Sequence, residues 1–120
     1  MTTGKVRNFT LLTKRDDLTL EQFRDHWRAV HAPIAAELPG LLSYTQHHVT
    51  DTGERATFPA PERMVDGIVE MTFESREAMD AALSGSVGLA LVEDAANFMS
   101  QMRMYVVEDF VIVEDRMLAL

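Results

Sequence analysis

Apolar residues recur along the chain with a period of two in some segments, as in strands, and with a helical period in others. The order of these segments is compatible with only a few folds. Val6 to Lys14 is apolar and β-branched with interspersed polar residues, which predicts a first strand. Leu20, Phe23, Trp27 and Val30 then recur every three or four residues, which predicts an amphipathic helix. Further strands are predicted over 41–49, 67–73 and 104–113, and further helical segments over 75–83 and 87–99.

This order is strand, helix, strand, strand, helix, strand. It predicts an α+β fold of the ferredoxin-like split βαβ type, with helices on one face of a four-stranded antiparallel sheet. The predicted last strand is apolar on both sides, yet helices can cover only one face of a sheet. We therefore expect a homodimer in which the open sheet faces of two copies pack together.

The boundaries of the first helix are marked by specific residue types. Thr19 and Gln22 have the spacing of a capping box, which predicts the start of the helix. Pro33 lacks a backbone N–H group, so the helix is expected to kink or restart there and to end at Pro39-Gly40.

Composition narrows the class of protein. The 120 residues are 47% hydrophobic and suit a single domain spanning 1–120, and no window approaches the roughly 18 apolar residues of a membrane span. The absence of cysteine fits a reducing compartment, so we expect a soluble cytoplasmic protein without a membrane partner. The net charge of −8 argues against a nucleic-acid partner.

Titratable and aromatic side chains concentrate between Trp27 and His48, a stretch that holds three of the four histidines and the only Trp. His31 lies one turn beyond Trp27 at the edge of the apolar stripe. A neutral imidazole there can act as a general acid or base, or it can simply cap a free carbonyl next to Pro33. His26 should point away from the stripe into solvent.

The second predicted strand places Tyr44, Gln46 and His48 on one face and His47 on the other. Tyr44 and His48 can together bind a carbonyl or phenolate oxygen. The alternative is a half-buried Tyr with a satisfied hydroxyl and a solvent-exposed His. We expect His31 and Tyr44 to converge on an enclosed cavity.

Other predicted site residues have a structural alternative. Glu70 lies between apolar neighbours in the third strand, where it can orient a His or form a salt bridge with Arg28 or Arg24. Trp27 is typical of a core residue but can form a cavity wall. The predicted substrate-binding residues are Trp27, Gln46, Glu70 and Thr72.

The sequence favours no cofactor. His47 and His48 point apart on a strand, so no metal site is predicted, and no glycine-rich phosphate loop is present. The polar stretch from Thr50 to Val65 is long for a connection, which suits either a lid or a mobile surface insertion.

Several motifs together resemble the EthD-like branch of the dimeric α+β barrels. The likeness covers residues 5 to 113 and rests on these segments: Leu-Leu-Thr-Lys-Arg at 11–15, Phe23, Trp27-Arg28, His31-Ala32-Pro33, Leu38-Pro39-Gly40-Leu41, Tyr44, His48-Val49 and Asp66-Gly67. The resemblance implies a dimer with a cleft between sheet and helices in each subunit.

The wider superfamily includes methylmuconolactone methylisomerases, polyketide cyclases or dehydratases, and cofactor-free oxygenases. In the isomerases a His at the end of the first helix and a Tyr on the second strand help to form the cleft, and by motif these correspond to His31 and Tyr44. A further isomerase His, after the second strand, has no match in residues 50–65.

The resulting hypothesis is a cofactor-independent enzyme that transfers protons on an apolar or aromatic ring compound, with His31, Tyr44 and His48 as catalytic residues. Isomerase, lyase and oxygenase reactions all remain open. The alternatives are a non-catalytic ligand-binding accessory module of a degradation pathway and, from related barrels, a haem-degrading protein.

Overall fold

In the computed structural model, residues 4–60 and 65–116 are described. The four strands are β1 (Val6–Lys14), β2 (Leu41–His48), β3 (Gly67–Phe73) and β4 (Met99–Val107). The helices are α1 (Leu20–His26), α2 (Ala32–Ala35), α3 (Arg76–Ser84) and α4 (Ser86–Ala95), and a π-helical turn (Trp27–His31) joins α1 to α2. The longest helix has ten residues, so no helix in the described ranges could cross a membrane.

The four strands form one sheet in the order β2-β3-β1-β4, and all neighbouring pairs are antiparallel. This topology confirms the predicted α+β, ferredoxin-like fold. The helices cover one face, which we call the inner face, and its core consists of buried aromatic and aliphatic side chains, among them Phe23, Trp27, Phe73, Met79 and Phe98.

The first helical element follows the local signals closely. Thr19 accepts a hydrogen bond from the backbone N–H of Gln22, and the Gln22 side chain accepts one from the backbone N–H of Thr19, so the predicted capping box is present. Pro33 cannot donate to the carbonyl of Ala29, and the helix widens just before it: the N–H of Ala32 bonds to the carbonyl of Trp27, five residues back. The predicted restart at Pro33 is confirmed, as α2.

The last strand differs from the prediction. The sequence predicts a strand over 104–113 and a preceding helix up to Met99, whereas α4 ends at Ala95 and β4 runs over Met99–Val107. The reason is the partner strand, because the β1–β4 ladder ends at the Arg7–Val107 pair. Residues 110–113 lie beyond the end of β1, and their apolar side chains are exposed.

The sheet has a second face without helices, which we call the outer face. It carries Phe9 and Leu11 of β1, Ile68 of β3 and Tyr105 of β4, as the strand registers show. Tyr105 is 47% exposed, and Phe9, Leu11 and Ile68 are half-buried in the single chain. The outer face therefore leaves apolar surface in contact with solvent.

Candidate active site

A cavity of about 460 Å³ lies between the inner face of the sheet and the helices. Its wall is mainly apolar and includes Val69 and Met71 of β3 and Leu91 of α4. Both His31 and Tyr44 line it, which confirms that these two rings reach one cavity. A concave apolar space with a few polar groups is typical of a small-molecule site.

The His31 imidazole is held by a carboxylate from the other helical layer. Its Nδ1 lies 2.7 Å from Oδ2 of Asp94, near the end of α4, and both residues are buried. Asp94 also contacts Nε2 of His26 at 2.9 Å and accepts a hydrogen bond from Asn97. No described protein group bonds to Nε2 of His31, so this nitrogen is left for a ligand.

The charges of this pair follow from burial and hydrogen bonding. Burial lowers the pKa of His31 below its usual 6.5 and outweighs the bond and charge of Asp94, which raise it. Burial alone would raise the pKa of Asp94, but hydrogen bonds from His31, His26 and Asn97 reverse this and lower it. At neutral pH, therefore, Nδ1–H of a neutral ring donates to a carboxylate, and the lone pair lies on Nε2.

The π-helical turn brings two histidines to the same carboxylate. His26 and His31 are five positions apart in the sequence. In a regular α-helix, two such side chains would point about 140° away from each other around the axis. The wider π-helical turn, in which an N–H bonds to the carbonyl five residues back, brings them to the same side. The ring of Phe98 contacts both imidazoles, with centroids 4.9 Å from His26 and 4.8 Å from His31. The expectation that His26 points into solvent is therefore wrong, because its ring is bonded to Asp94.

Tyr44, Gln46 and His48 form a chain of hydrogen bonds on the inner face of β2. Nε2 of Gln46 donates to the Tyr44 hydroxyl and to the carbonyl of Trp27, each over 3.0 Å. Oε1 of Gln46 lies 3.0 Å from Nε2 of His48, whose ring packs on Trp27 at 4.6 Å. His48 and Gln46 do not line the cavity, so they can act on a ligand there only through Tyr44 or Trp27.

The Tyr44 hydroxyl is arranged as a hydrogen-bond donor. Burial raises its pKa, and side-chain hydrogen bonds with Gln46 and Trp27 offset this only in part. Nε2 of Gln46 donates to the phenol oxygen, so the hydrogen of the Tyr44 hydroxyl is free to bond to a ligand. Burial also lowers the pKa of His48, with Arg24 and Arg28 adding to the effect, and this favours a neutral ring.

Two predicted substrate-binding residues lie on the wrong side of the sheet for this cavity. Glu70 is on the outer face, where it accepts a hydrogen bond from Arg7 at 2.7 Å and contacts His47 at 3.1 Å. The predicted salt bridge of Glu70 to Arg28 or Arg24 is therefore wrong. Thr72 is also on the outer face, two residues along the same strand.

The partner of His31 is not among the predicted site residues. Asp94 shares a stripe with Leu91 and Phe98 at spacings of three and four, so an acidic residue on the buried face of α4 was the available signal. Asn8, another cavity residue not predicted, lies on the inner face of β1 among apolar neighbours.

The remaining expectations concern a metal and the long loop. Within residues 4–60 and 65–116, no three His, Cys, Asp or Glu side chains are grouped so as to hold a metal ion. Residues 50–60 of the predicted loop are exposed and do not line the cavity, and residues 61–64 lie outside the described part of the chain.

The fold and the cavity together define a small ferredoxin-like domain with a buried His–Asp pair facing an apolar site. The model of the EthD domain matches residues 15–102, and the chain belongs to this family.

Similar proteins support the assignment. The chain is 28% identical over 107 residues to a protein of Pseudomonas reinekei named 4-carboxymethyl-4-methylbutenolide mutase, covering 88% of this chain and 99% of the relative. An EthD-like protein of Ralstonia eutropha JMP134 has a similar structure, with a TM-score of 0.71, 18% identity, and coverage of 96% of this chain and 100% of that chain. A protein of Bacteroides fragilis, described as dimeric with a ferredoxin-like fold, gives a TM-score of 0.65 at 12% identity, covering 91% and 100%.

Proposed function

We propose that this protein is a cofactor-independent enzyme that isomerises a small, mainly apolar ring compound bearing a carbonyl group, such as a butenolide lactone. The observation that carries the proposal is the orientation of His31 by Asp94, with Nε2 free beside the cavity that Tyr44 also lines. The mutase name of the Pseudomonas relative supports an isomerase over the lyase and oxygenase alternatives.

The proposed reaction uses the side chains in two proton transfers. Nε2 of His31 takes a proton from a ring carbon conjugated with the carbonyl, and the electron pair moves onto the carbonyl oxygen to give an enolate. The Tyr44 hydroxyl donates a hydrogen bond to that oxygen, and Asp94 stabilises the imidazolium. His31 then returns the proton to a different carbon, so the product is an isomer and no other reactant is needed.

We further propose that the whole of 1–120 is one domain that acts as a cytoplasmic homodimer joined through the outer face. The apolar side chains exposed there and the dimeric description of the Bacteroides structure support the dimer. The lack of cysteine supports a cytoplasmic location. The acidic composition argues against a nucleic-acid partner.

The test is deuterium incorporation and isomer formation in D₂O, followed by proton NMR, with 4-carboxymethylbut-2-en-4-olide and the neutral 4-methylbut-2-en-4-olide. Both lactones carry a hydrogen on the saturated ring carbon next to the conjugated double bond. The wild-type protein should accelerate exchange or isomerisation of at least one lactone, and His31→Gln should lower that rate by about 100-fold or more.

The matched control is His47→Gln, which changes an exposed His on the outer face and should keep the wild-type rate. Equal rates for His31→Gln and wild type would overturn the proposed role of His31. Binding of either lactone without exchange or conversion at any pH would favour the accessory ligand-binding module instead.

A further inference from the structure

Asn8 is a polar side chain at the centre of the apolar layer. It lies on the inner face of β1, opposite Met71 of β3 and Val106 of β4, and it lines the cavity. Its side chain is 0% exposed. An amide in such a place loses its hydration on folding, so its hydrogen bonds decide whether it is stabilising.

The two ends of the Asn8 amide are unequally satisfied. Nδ2 donates over 3.5 Å to the sulfur of Met79, which is a weak acceptor. Oδ1 is buried and has no hydrogen-bond partner among the residues that the structure describes. Rotating the Asn8 amide by 180° would exchange Nδ2 and Oδ1 and place the oxygen next to the Met79 sulfur, where the lone pairs of the two atoms repel. The observed orientation, in which Oδ1 is unpaired, is therefore the favourable one.

A buried amide oxygen without a partner destabilises the folded chain, and an apolar side chain of similar shape would avoid that cost. A buried polar atom without a partner calls for an explanation, and a ligand that completes the missing bond is one. The cavity beside Asn8 is where a ligand would lie.

We infer that Asn8 determines substrate specificity by accepting a hydrogen bond from a hydroxyl or N–H group of the ligand. This inference rests on the proposed function in taking the cavity as the substrate site. Tyr44 donates to an oxygen of the ligand and Asn8 accepts from a donor, so the preferred compounds are rings that carry both a carbonyl and a hydroxyl or N–H group.

The experiment compares acetophenone with its 2-, 3- and 4-hydroxy isomers as ligands, by calorimetric titration of the intact protein. The wild-type protein should bind one hydroxy isomer about tenfold more tightly than acetophenone, the effect expected of one hydrogen bond to a buried acceptor. In Asn8→Leu this preference should fall below about twofold, with acetophenone itself bound as well as before.

Met79→Leu is the matched control, because it removes the sulfur but leaves Oδ1 in place, and it should keep the preference. The melting temperature of ligand-free Asn8→Leu should equal or exceed that of the wild type, since an unpaired polar atom has been removed. A loss of several degrees would show a structural role for Asn8 and overturn the inference.

The inference is also overturned if the wild-type protein prefers no hydroxy isomer, or if Asn8→Leu keeps the preference. These binding measurements need no turnover. A failure of the lactone exchange test would therefore remove the proposed reaction and leave the role of Asn8 in binding to be decided by titration alone.

Discussion

Oδ2 of Asp94 lies 2.7 Å from Nδ1 of His31, although 63 residues separate the two in sequence. The contact joins the end of α4 to the π-helical turn and fixes the ring that faces the cavity. A carboxylate in this position holds the imidazole in one tautomer and stabilises its protonated form. The consequences for rate, pH dependence and stability can be measured.

Removing the Asp94 carboxylate should slow proton transfer without removing the base. In Asp94→Asn we expect the rate of lactone exchange to fall by about 100-fold or more, because the ring is no longer held in the productive tautomer. Asp94 raises the pKa of His31, so the acid limb of the pH–rate profile should also move to lower pH.

Glu93→Gln makes the same change of charge on the neighbouring, exposed residue of α4 and should alter neither the rate nor the profile. An Asp94→Asn enzyme with a lower rate but an unmoved acid limb would indicate that Asp94 serves stability alone.

The buried His31 and the half-buried His48 should make the protein sensitive to acid. Folding lowers the pKa of His31 and of His48, so below their usual value of 6.5 the unfolded chain binds more protons than the folded one. Stability should therefore be complete above pH 6.5 and decline as the pH falls through the folded pKa of each ring, by up to about 1.4 kcal/mol per pH unit for each group.

Asp94 also makes the folded protein less stable in acid, but at lower pH. Its contribution to stability is present above pH 3.8, the usual pKa of Asp, and is lost as the pH falls through the lower pKa that Asp94 has in the folded protein. Urea unfolding between pH 8 and pH 4 measures the slope that the histidines cause, and unfolding below pH 4 measures that of Asp94. His31→Gln should flatten it in the window just below 6.5, and an unchanged slope would contradict the assignment.

The wall of the cavity depends on a glycine. A Cβ atom at Gly67 would lie 2.5 Å from Cζ3 of Trp27, a buried ring. Gly67→Ala should destabilise the protein by about 1–3 kcal/mol, since the ring must move in a packed core. Urea unfolding followed by the fluorescence of Trp27, the only Trp of the chain, reports both stability and ring environment.

Gly53→Ala is the control, because a Cβ at Gly53 meets nothing within 4 Å. It should leave both the midpoint and the emission maximum close to those of the wild type. Equal stabilities of the two alanine variants would mean that Trp27 is not packed against Gly67.

The proposed dimer predicts different effects at two similarly exposed apolar residues. Tyr105 on the outer face is 47% exposed and Val30 on the π-helical turn is 45% exposed. Tyr105→Asp should weaken self-association at least about tenfold, because it buries a charge in the interface, whereas Val30→Asp should not change it. Sedimentation velocity over a range of concentrations measures both, and a wild-type protein that stays monomeric would exclude the dimer.

Local patterns were sufficient for most of the architecture. The capping box at Thr19, the restart at Pro33 and the common face of Tyr44, Gln46 and His48 depend on residues close together in sequence, and each is present in the structure. The end of β4 was mispredicted because a strand stops where its partner stops, and the length of β1 is not encoded in residues 104–113.

The sequence by itself determined the order of elements, the ferredoxin-like fold and the placement of His31 and Tyr44 toward the core, since these follow from local periodicity. Only the tertiary structure decided that Asp94 orients His31 and that Glu70 pairs with Arg7 on the opposite face. The same is true of the Asn8 amide oxygen, which finds no partner in the described part of the chain. Each of these depends on which segments pack together in space, and spacing along a single element carries no information about residues on another.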